Sequence, residues 1–297
     1  MSLVINHNLM AANTARNLNA HYSQLSKSVQ RLSTGLRVNS AADDASGLAI
    51  RELQRADIAT LQQGARNAND AISMIQTADG ALGVIDEKLT RMKELAEQAA
   101  TGTYDSTQRL MIESEYQAMA SEITRIANAI HLLNGSLSSD THDGSGMTST
   151  GKLKVHFGTG NDSAEDYYYI KIGNSTASAL GVGNQAIDDA TGQLRDGGTV
   201  STQQAAQRAL DAITNAIVSK DKIRAHLGAM QNRLENTITN LNIQAENLQA
   251  AESRISDVDV ATEMTQFVRN QILSQSAVAM LSQANSLPQM AMQLIGG

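Results

Sequence analysis

The chain has 297 residues, a formal net charge of −7 and no cysteine. Aromatic residues make up only 3% of it, which argues against the aromatic-lined pocket of a compact enzyme. Without cysteine, neither a disulfide framework nor a cysteine-based metal site can form. No cluster of lysine and arginine predicts binding to nucleic acid, and no stretch approaches the roughly 18 apolar residues that insert into a membrane.

The first predicted element is an N-terminal helix over about residues 5 to 36, ending near Gly35. Its apolar residues alternate at spacings of four and three, the 3.5-residue period of a coiled-coil seam. These residues are Ala11, Ala15, Leu18, Tyr22, Leu25, Val29, Leu32 and Leu36. A helix with so narrow an apolar stripe needs a packing partner to be stable in water.

Two further helices are predicted before the middle of the chain. The first begins near Asp43, where good capping residues cluster, and continues for about 55 residues, with Gly80 and Gly83 expected to loosen it locally. The second follows a turn over residues 101–105 and carries apolar residues at helical spacing. It is expected to end at the turn dipeptide Asn134-Gly135.

The middle of the chain changes character and predicts a β-hairpin. Residues 136–151 are rich in Ser, Thr, Asp and Gly, and alternating apolar residues follow at 153–157. A second β-type run covers 167–172, and the glycine-rich segment 158–162 is interpreted as the turn between them. This turn lacks the Lys-Ser/Thr of a phosphate loop and the spaced acidic ligands of an EF-hand. Residues 175–199 are expected to be rich in loops, with at most short elements.

The helical pattern resumes near Thr202, and a last helix is predicted from about Ser256 to Pro288. Its apolar residues repeat the coiled-coil spacing of the first helix. They are Leu273, Ala277, Met280, Ala284 and Leu287. The simplest arrangement pairs the first and last helices.

The predicted fold class is mainly α: an elongated antiparallel coiled-coil bundle of long helices with a small β-hairpin region in the middle. The terminal coiled-coil domain comprises 1–42 plus 257–297. The rod domain comprises 43–135 plus 136–256, with 136–200 a loop and hairpin region, and no large outer domain is expected.

Several segments resemble bacterial flagellin. They are Ile5–Asn8, Leu32–Ile50 (LSTGLRVNSAADDASGLAI), Ala251–Asp259 (AESRISDVD), Arg269–Leu273 and Gln283–Gln289. The resemblance implies a structural, self-assembling subunit of the extracellular flagellar filament, exported by the flagellar type III route without a cleaved signal peptide. It implies no enzymatic activity, cofactor or metal. A hook–filament junction protein, a coiled-coil adaptor and an enzyme are the alternatives.

The resemblance also implies partners besides the chain itself. These are the filament-cap protein, the hook–filament junction proteins, and an export chaperone at the C-terminal helix. Similarity to flagellins recognised by Toll-like receptor 5 implies contacts from Arg91, Leu95 and Glu115. The residues alone have a simpler interpretation. Arg91 and the charged residues beside it form a solvated helix face, and Leu89 and its apolar neighbours lie in the core. The Ser/Thr-rich segment 136–150 is either an ordinary loop or a region whose exposed hydroxyls carry O-glycosylation.

The predicted polymerisation site is the terminal coiled coil. Leu18, Leu25 and Leu32 are expected to pack within the chain, while small residues such as Ala277, Ala279 and Ala284 are expected to let neighbouring subunits approach. The complete set comprises Leu18, Tyr22, Leu25, Val29, Leu32, Leu36, Leu273, Ala277, Met280, Ala284 and Leu287.

Overall fold

A computed structural model describes residues 8–133, 153–162, 166–184 and 196–295, without the side chains of 130–133, 287–289 and 291–295. Most of these residues are helical. The elements are α1 (Leu9–Thr34), α2 (Ala45–Ala100), α3 (Ser106–Leu133), β1 (Leu153–His156), β2 (Tyr167–Ile170), α4 (Ala177–Leu180), α5 (Gln203–Ser256) and α6 (Val260–Ile295). The predicted mainly helical class with a small central hairpin is confirmed.

Helix α1 has a defined cap at each end. The Asn8 side chain accepts a hydrogen bond from the backbone N–H of Ala11 at the start. At the end, Gly35 adopts a left-handed conformation with φ of 71°, and its N–H donates to the Arg31 carbonyl. Glycine is suited to this position because it has no Cβ to clash. The end of α1 near Gly35 is therefore as predicted, while residues 1–7 lie outside the described residues.

Helix α2 runs for 56 residues without a break. Asp44 accepts a hydrogen bond from the backbone N–H of Gly47 at its start. The expected loosening at Gly80 and Gly83 is wrong, since both lie inside continuous helix. Burial of neighbouring residues such as Leu82 and Ile85 outweighs the modest helical cost of glycine, about 1 kcal/mol per residue.

Helix α3 is joined to α2 by a short turn that Arg109 holds in place. The Arg109 side chain donates to the carbonyls of Ala99 and Thr101, at 3.0 and 2.9 Å. These carbonyls belong to the end of α2 and to the turn, so their hydrogen-bonding needs are met. Helix α3 is described as far as Leu133, so the predicted end at Asn134-Gly135 lies outside the described residues.

The hairpin pairs β1 and β2 in antiparallel register, from Leu153 opposite Ile170 to His156 opposite Tyr167. Both strands end slightly earlier than the sequence predicts. The hairpin is fixed to α2 because Asn67 donates to the His156 carbonyl at 2.9 Å, while Gly64 lets the Phe157 backbone approach so closely that a Cβ would overlap it. The hydroxyl-rich run 136–150, with its proposed glycosylation sites, lies outside the described residues.

Contacts divide the chain into two units, one of residues 1–58 and 246–297 and one of residues 59–245. The second unit has an apolar core built by α2, α3 and α5. Its largest fully buried side chains include Ile75, Leu82, Ile85, Leu89, Met92, Leu95, Tyr116, Ile123, Ile213, Leu227 and Leu234. The boundaries of the predicted domains stay a prediction.

The segments on either side of 185–195 are held against α3. The Tyr116 hydroxyl donates to the Gly197 carbonyl at 2.7 Å, and burial raises the pKa of this phenol. Val182 and Gly197 form a parallel bridge, and the Val200 N–H donates to Glu113. The expected loop at 175–199 therefore contains the short helix α4 and a defined bridge.

Helix α6 continues to Ile295, past Pro288, so the predicted stop at Pro288 is wrong. Proline lacks a backbone donor and crowds the preceding turn, but its fixed φ is compatible with a helix. None of the described helices combines the length and hydropathy needed to cross a membrane.

Candidate assembly surface on the terminal helices

Helices α1 and α6 pair in antiparallel fashion, with a specific contact near each end. At one end the Asn8 side-chain amide donates to the Ala284 carbonyl at 2.8 Å. At the other, the Arg31 guanidinium lies 3.4 Å from the Glu263 carboxylate. These two contacts fix the direction and register of the pair.

The short links that join this pair to α2 and α5 also contact each other. Arg37 donates its backbone N–H to the Ser256 carbonyl and its guanidinium to the Ile255 carbonyl, while the Val258 N–H donates to Gly35. Asp259 then begins α6: hydrogen bonds from Thr262 and Ala261 lower the pKa of its carboxyl group. The start of the last helix is thus set by an acidic N-cap.

The residues shielded between α1 and α6 recur at alternating spacings of three and four. On α1 they are Ala11, Thr14, Leu18, His21, Leu25, Ser28 and Leu32; on α6 they are Glu263, Phe267, Asn270, Ser274, Ala277, Leu281 and Ala284. We call this set the inner seam. Its spacing is that of a coiled coil.

The inner seam is unusually polar. Ser28, Glu263, Asn270 and Ser274 are all buried, and within the described part of the chain the Ser274 hydroxyl has no hydrogen-bond partner. Small and polar residues allow two helices to approach but supply little hydrophobic stabilisation. The pairing of α1 with α6 is therefore weaker than a leucine-rich seam would provide.

The inner seam corrects the predicted packing of the apolar stripes. Leu18, Leu25 and Leu32 lie in it, half-buried as expected, and Leu36 is half-buried at the end of α1. Four residues that were predicted to lie in the seam are exposed instead. They are Tyr22 (51% exposed), Val29 (50%), Leu273 (39%) and Met280 (57%). At alternate positions of the seam on α1, Thr14, His21 and Ser28 replace the predicted residues, each one residue earlier in the chain.

The small residues of α6 are corrected in the opposite sense. Ala284 is buried and Ala277 half-buried against α1, whereas both were predicted to face neighbouring subunits. Their small size lets the two helices of one chain approach closely. Ala279 is exposed, and the Leu287 side chain lies outside the described residues.

The polar members of the inner seam were missed because only apolar residues were used to find it. A signal was present, since polar side chains recur every seven residues at Thr14, His21 and Ser28. The same period joins Glu263 to Asn270. Such a recurrence is as regular as the apolar one, and only packing decides which of the two is buried.

Large apolar side chains line the flanks of the inner seam. On α1 they are Tyr22 and Val29. On α6 they include Val260, Met264, Val268, Ile272, Leu273 and Met280. We call these α1 and α6 residues together the outer rows. Exposed apolar side chains of this number and spacing mark a protein interaction surface.

A second candidate contact region lies on α2 and α3. Arg91 donates to Glu115 at 2.9 and 2.8 Å and to Glu94 at 3.0 Å, and these hydrogen bonds raise the pKa of the guanidinium. Arg91 and Glu115 are both about half exposed. Leu95 is only 1% exposed, so its side chain packs in the apolar core, and its role in receptor contact stays a prediction.

Comparison with protein families identifies two matching regions. The N-terminal helical region of bacterial flagellin matches residues 5–137. The C-terminal helical region of bacterial flagellin matches residues 210–295. The first region contains α1, α2 and α3, and the second contains α6 and most of α5.

Full-length relatives agree with these matches. Flagellin of Halalkalibacterium halodurans is 42% identical over 293 residues, covering 99% of this chain and 100% of the relative. The flagellar filament 33 kDa core protein of Treponema phagedenis is 40% identical over 301 residues, with 99% and 100% covered. A crystal structure of Bacillus cereus flagellin aligns at 27% identity with a TM-score of 0.44, covering 63% of this chain and 94% of that one. The chain belongs to the bacterial flagellin family and is a structural subunit of the flagellar filament.

Proposed function

We propose that the outer rows of α1 and α6 are the surface through which the chain polymerises, in a purely structural role without catalysis. The observation that carries this proposal is the exposure of Tyr22, Val29, Leu273 and Met280 at regular positions beside a polar inner seam. A single chain leaves these side chains in water. A neighbouring copy presents the same kind of surface and can cover them.

Burial of the outer rows contributes favourably to the free energy of assembly. Burying one large apolar side chain contributes about 1.5–3 kcal/mol relative to full exposure, and these residues are about half exposed. Each therefore offers about 1 kcal/mol. Several of them together offset part of the cost of immobilising a subunit, and each subunit in a polymer has more than one neighbour.

Seeded polymerisation followed by electron microscopy tests the proposal. Replacing Tyr22 and Met280 by Gln is expected to raise the critical concentration for filament growth at least about tenfold, the equivalent of about 1.4 kcal/mol. The helical content of the monomer should not change, since both side chains are exposed.

The matched control replaces Leu110 and Val218 by Gln, because these residues are similarly exposed but lie outside α1 and α6. It should polymerise like the parent chain. Growth of the Tyr22/Met280 variant at the parental critical concentration would contradict the proposal, as would soluble oligomers in place of filaments from the parent.

We also propose recognition by Toll-like receptor 5, through Arg91 and Glu115. Their exposed ion pair supports this assignment, while the burial of Leu95 limits that residue to supporting the helix from below. Arg91→Ala should lower the response of receptor-bearing reporter cells. Arg125→Ala, which removes an exposed pair with Glu122 inside α3, serves as the control. Equal potency of Arg91→Ala and the parent would contradict this assignment.

Membership of the flagellin family supports the remaining proposed partners. An export chaperone would cover the exposed apolar side chains of α6, and the cap and hook–filament junction proteins would contact terminal helices at the two ends of the filament. Co-purification of the chaperone with the parent but not with a Val268→Gln, Ile272→Gln variant would support the first of these. Equal binding would contradict it.

We propose an extracellular location, reached by the flagellar type III route with the N-terminus retained. Membership of the flagellin family supports this location. N-terminal sequencing of filament protein should find the Ile5–Asn8 segment intact. A start inside or beyond the Ile5–Asn8 segment would contradict an uncleaved export signal.

A further inference from the structure

A cleft lies between the end of the hairpin and α5. It has a volume of about 220 Å³ and is lined by Lys171, Gly173, Lys222, Ile223 and His226. Three of these five residues are lysine or histidine, in a chain whose net charge is −7. We call this feature the basic cleft.

Two contacts hold the chain that carries Lys171 against α5. The Arg233 guanidinium stacks on the Tyr168 ring, 3.6 Å from its centroid. A Cβ on Gly173 would lie 2.9 Å from the Ile223 side chain, so the backbone there packs directly on α5. Tyr168 and Gly173 thus keep the backbone of Lys171 beside α5, and the Lys171 side chain lines the cleft.

The cations of the basic cleft differ from their neighbours in having no charged partner. Lys220 contacts Asp86 and Asp221, and Arg224 contacts Asp79. Within the described residues, neither Lys171 nor Lys222 forms an ion pair, and all three of the cleft's titratable side chains are exposed. Concentrating unpaired positive charge in a concave surface produces a field that attracts an anionic group.

We propose that the basic cleft binds carboxylate side chains of a second copy of this chain in the filament. This rests on the proposed polymerisation, since a filament places copies of the chain side by side. The chain has 30 acidic and 23 basic residues, so each copy offers an excess of carboxylates. Exposed acidic residues without an ion pair among the described residues, such as Asp70 on α2 and Glu246 on α5, supply suitable partners. The interaction would select the register of neighbouring subunits more than it would strengthen their contact.

Zero-length carbodiimide cross-linking of assembled filaments tests this directly. Filaments are grown from an equal mixture of isotopically light and heavy chains and then digested for mass spectrometry. The expected product joins a peptide containing Lys171 or Lys222 to an Asp or Glu peptide of the opposite isotope. Because an amide forms only between groups already in contact, the product also identifies the acidic partner.

Reversing or keeping the charge of Lys222 gives an independent measurement. Lys222→Glu is expected to raise the critical concentration for growth about three- to tenfold. Lys222→Arg keeps the positive charge, so it should polymerise at the critical concentration of the parent. Lys93→Glu is the matched control: it is an exposed lysine without an ion pair among the described residues, and it makes the same charge change outside the basic cleft. Raising the salt from about 0.05 to about 0.5 M should narrow the difference between Lys222→Glu and the parent.

The outcomes separate this inference from the proposed function. Normal filaments with no mixed-isotope cross-link from Lys171 or Lys222, or cross-links only within one chain, would overturn the basic cleft as a subunit contact. Equal effects of Lys222→Glu and Lys93→Glu would overturn it as well. A parent chain that forms no filaments would overturn the proposed polymerisation and this inference together.

Discussion

At the residue scale, Ser274 shows how the inner seam is held below its maximal stability. It is 4% exposed at a heptad position of α6, and its hydroxyl has no partner among the described atoms. A buried polar group without a hydrogen bond costs about 1–3 kcal/mol. Replacing Ser274 by an apolar residue of similar size should therefore increase the stability of the isolated chain.

Ser274→Ala is accordingly expected to stabilise the α1–α6 pair by about 1 kcal/mol. Hydrogen exchange of α1 and α6 amides in the monomer measures this as slower opening. Ser282→Ala, at an exposed position of the same helix, is the control and should leave exchange unchanged. Faster exchange in Ser274→Ala would show that the hydroxyl makes a stabilising contact.

Ion pairs between α2 and α5 lie in the other unit, that of residues 59–245. Two hydrogen bonds from Arg224, at 2.7 and 3.1 Å, lower the pKa of Asp79 below its ordinary value of 3.8, against the opposing effect of burial. The neighbouring Lys220 is almost fully buried. Although burial alone would lower its pKa, hydrogen bonds to Asp221 and Asp86 leave the pKa raised. The Asp79 carboxylate and the Lys220 ammonium are thus both charged at neutral pH.

The Asp79 pair predicts a pH-dependent stability. Because the folded carboxylate binds a proton more weakly than the unfolded one, its contribution is complete above about pH 4 and is lost as the pH falls through the lowered pKa. Since both partners are over a third exposed, Asp79→Asn should reduce the free energy of unfolding by only about 0.5–1 kcal/mol at neutral pH.

Urea unfolding of the parent and of Asp79→Asn across the acidic range measures this effect. The two curves should converge below the lowered pKa. Asp211→Asn, an exposed carboxylate without an ion pair in the described structure, should follow the parent throughout. A difference between Asp79→Asn and the parent that persists undiminished at low pH would contradict the assignment.

At the scale of elements, α2 tolerates glycine at some positions and requires it at another. A Cβ at Gly80 or Gly83 would have no atom within 4 Å, whereas one at Gly64 would overlap the Phe157 backbone. A glycine with free space around its Cα inside a helix carries an entropic cost that alanine removes. The Gly64 site is instead where the hairpin rests on the helix.

Gly80→Ala and Gly83→Ala should each stabilise the second unit by about 0.5–1 kcal/mol. Gly64→Ala should destabilise it by about 1–3 kcal/mol, because the hairpin must move away from α2. Thermal unfolding of the three variants compares them directly. A stabilising effect of Gly64→Ala would show that the Phe157 backbone does not pack against this position.

At the scale of the whole molecule, the two units differ in how they are stabilised. The unit of residues 59–245 has a dense apolar core, whereas the α1–α6 pair has a polar inner seam and exposed outer rows. Local stability follows the number of buried apolar contacts. The terminal helices should therefore be the part of the chain that gains most from assembly.

Hydrogen exchange is expected to show this difference. In the monomer, amides of α1 and α6 should exchange at least about tenfold faster than those of α2 near Leu89, and polymerisation should slow α1 and α6 selectively. Exchange of α2 around Met92, already protected in the monomer, provides the internal reference. Equal protection of the terminal helices in monomer and filament would contradict assembly through the outer rows.

Heptad spacing, turn residues and low aromatic content were enough to place the long helices and the hairpin, because periodicity and capping are local properties. The resemblance of both terminal segments to flagellin was equally evident in the residues. What the pattern could not decide was orientation about the helix axis. Leu18 and Leu25 fit either of two overlapping stripes, and a shift of one residue at alternate positions exchanges Tyr22 for His21.

Only tertiary structure resolved that choice. Packing buried Ser28, Asn270 and Ser274 between α1 and α6, since small side chains allow close approach. It left Tyr22, Val29 and Met280 exposed. It likewise brought Lys171 beside Lys222 across a long sequence separation, and buried Leu95 beneath Arg91. By itself the sequence determined which segments are helical and which family they belong to. The tertiary structure determined which faces remain available for another subunit, because exposure depends on residues far apart in the chain.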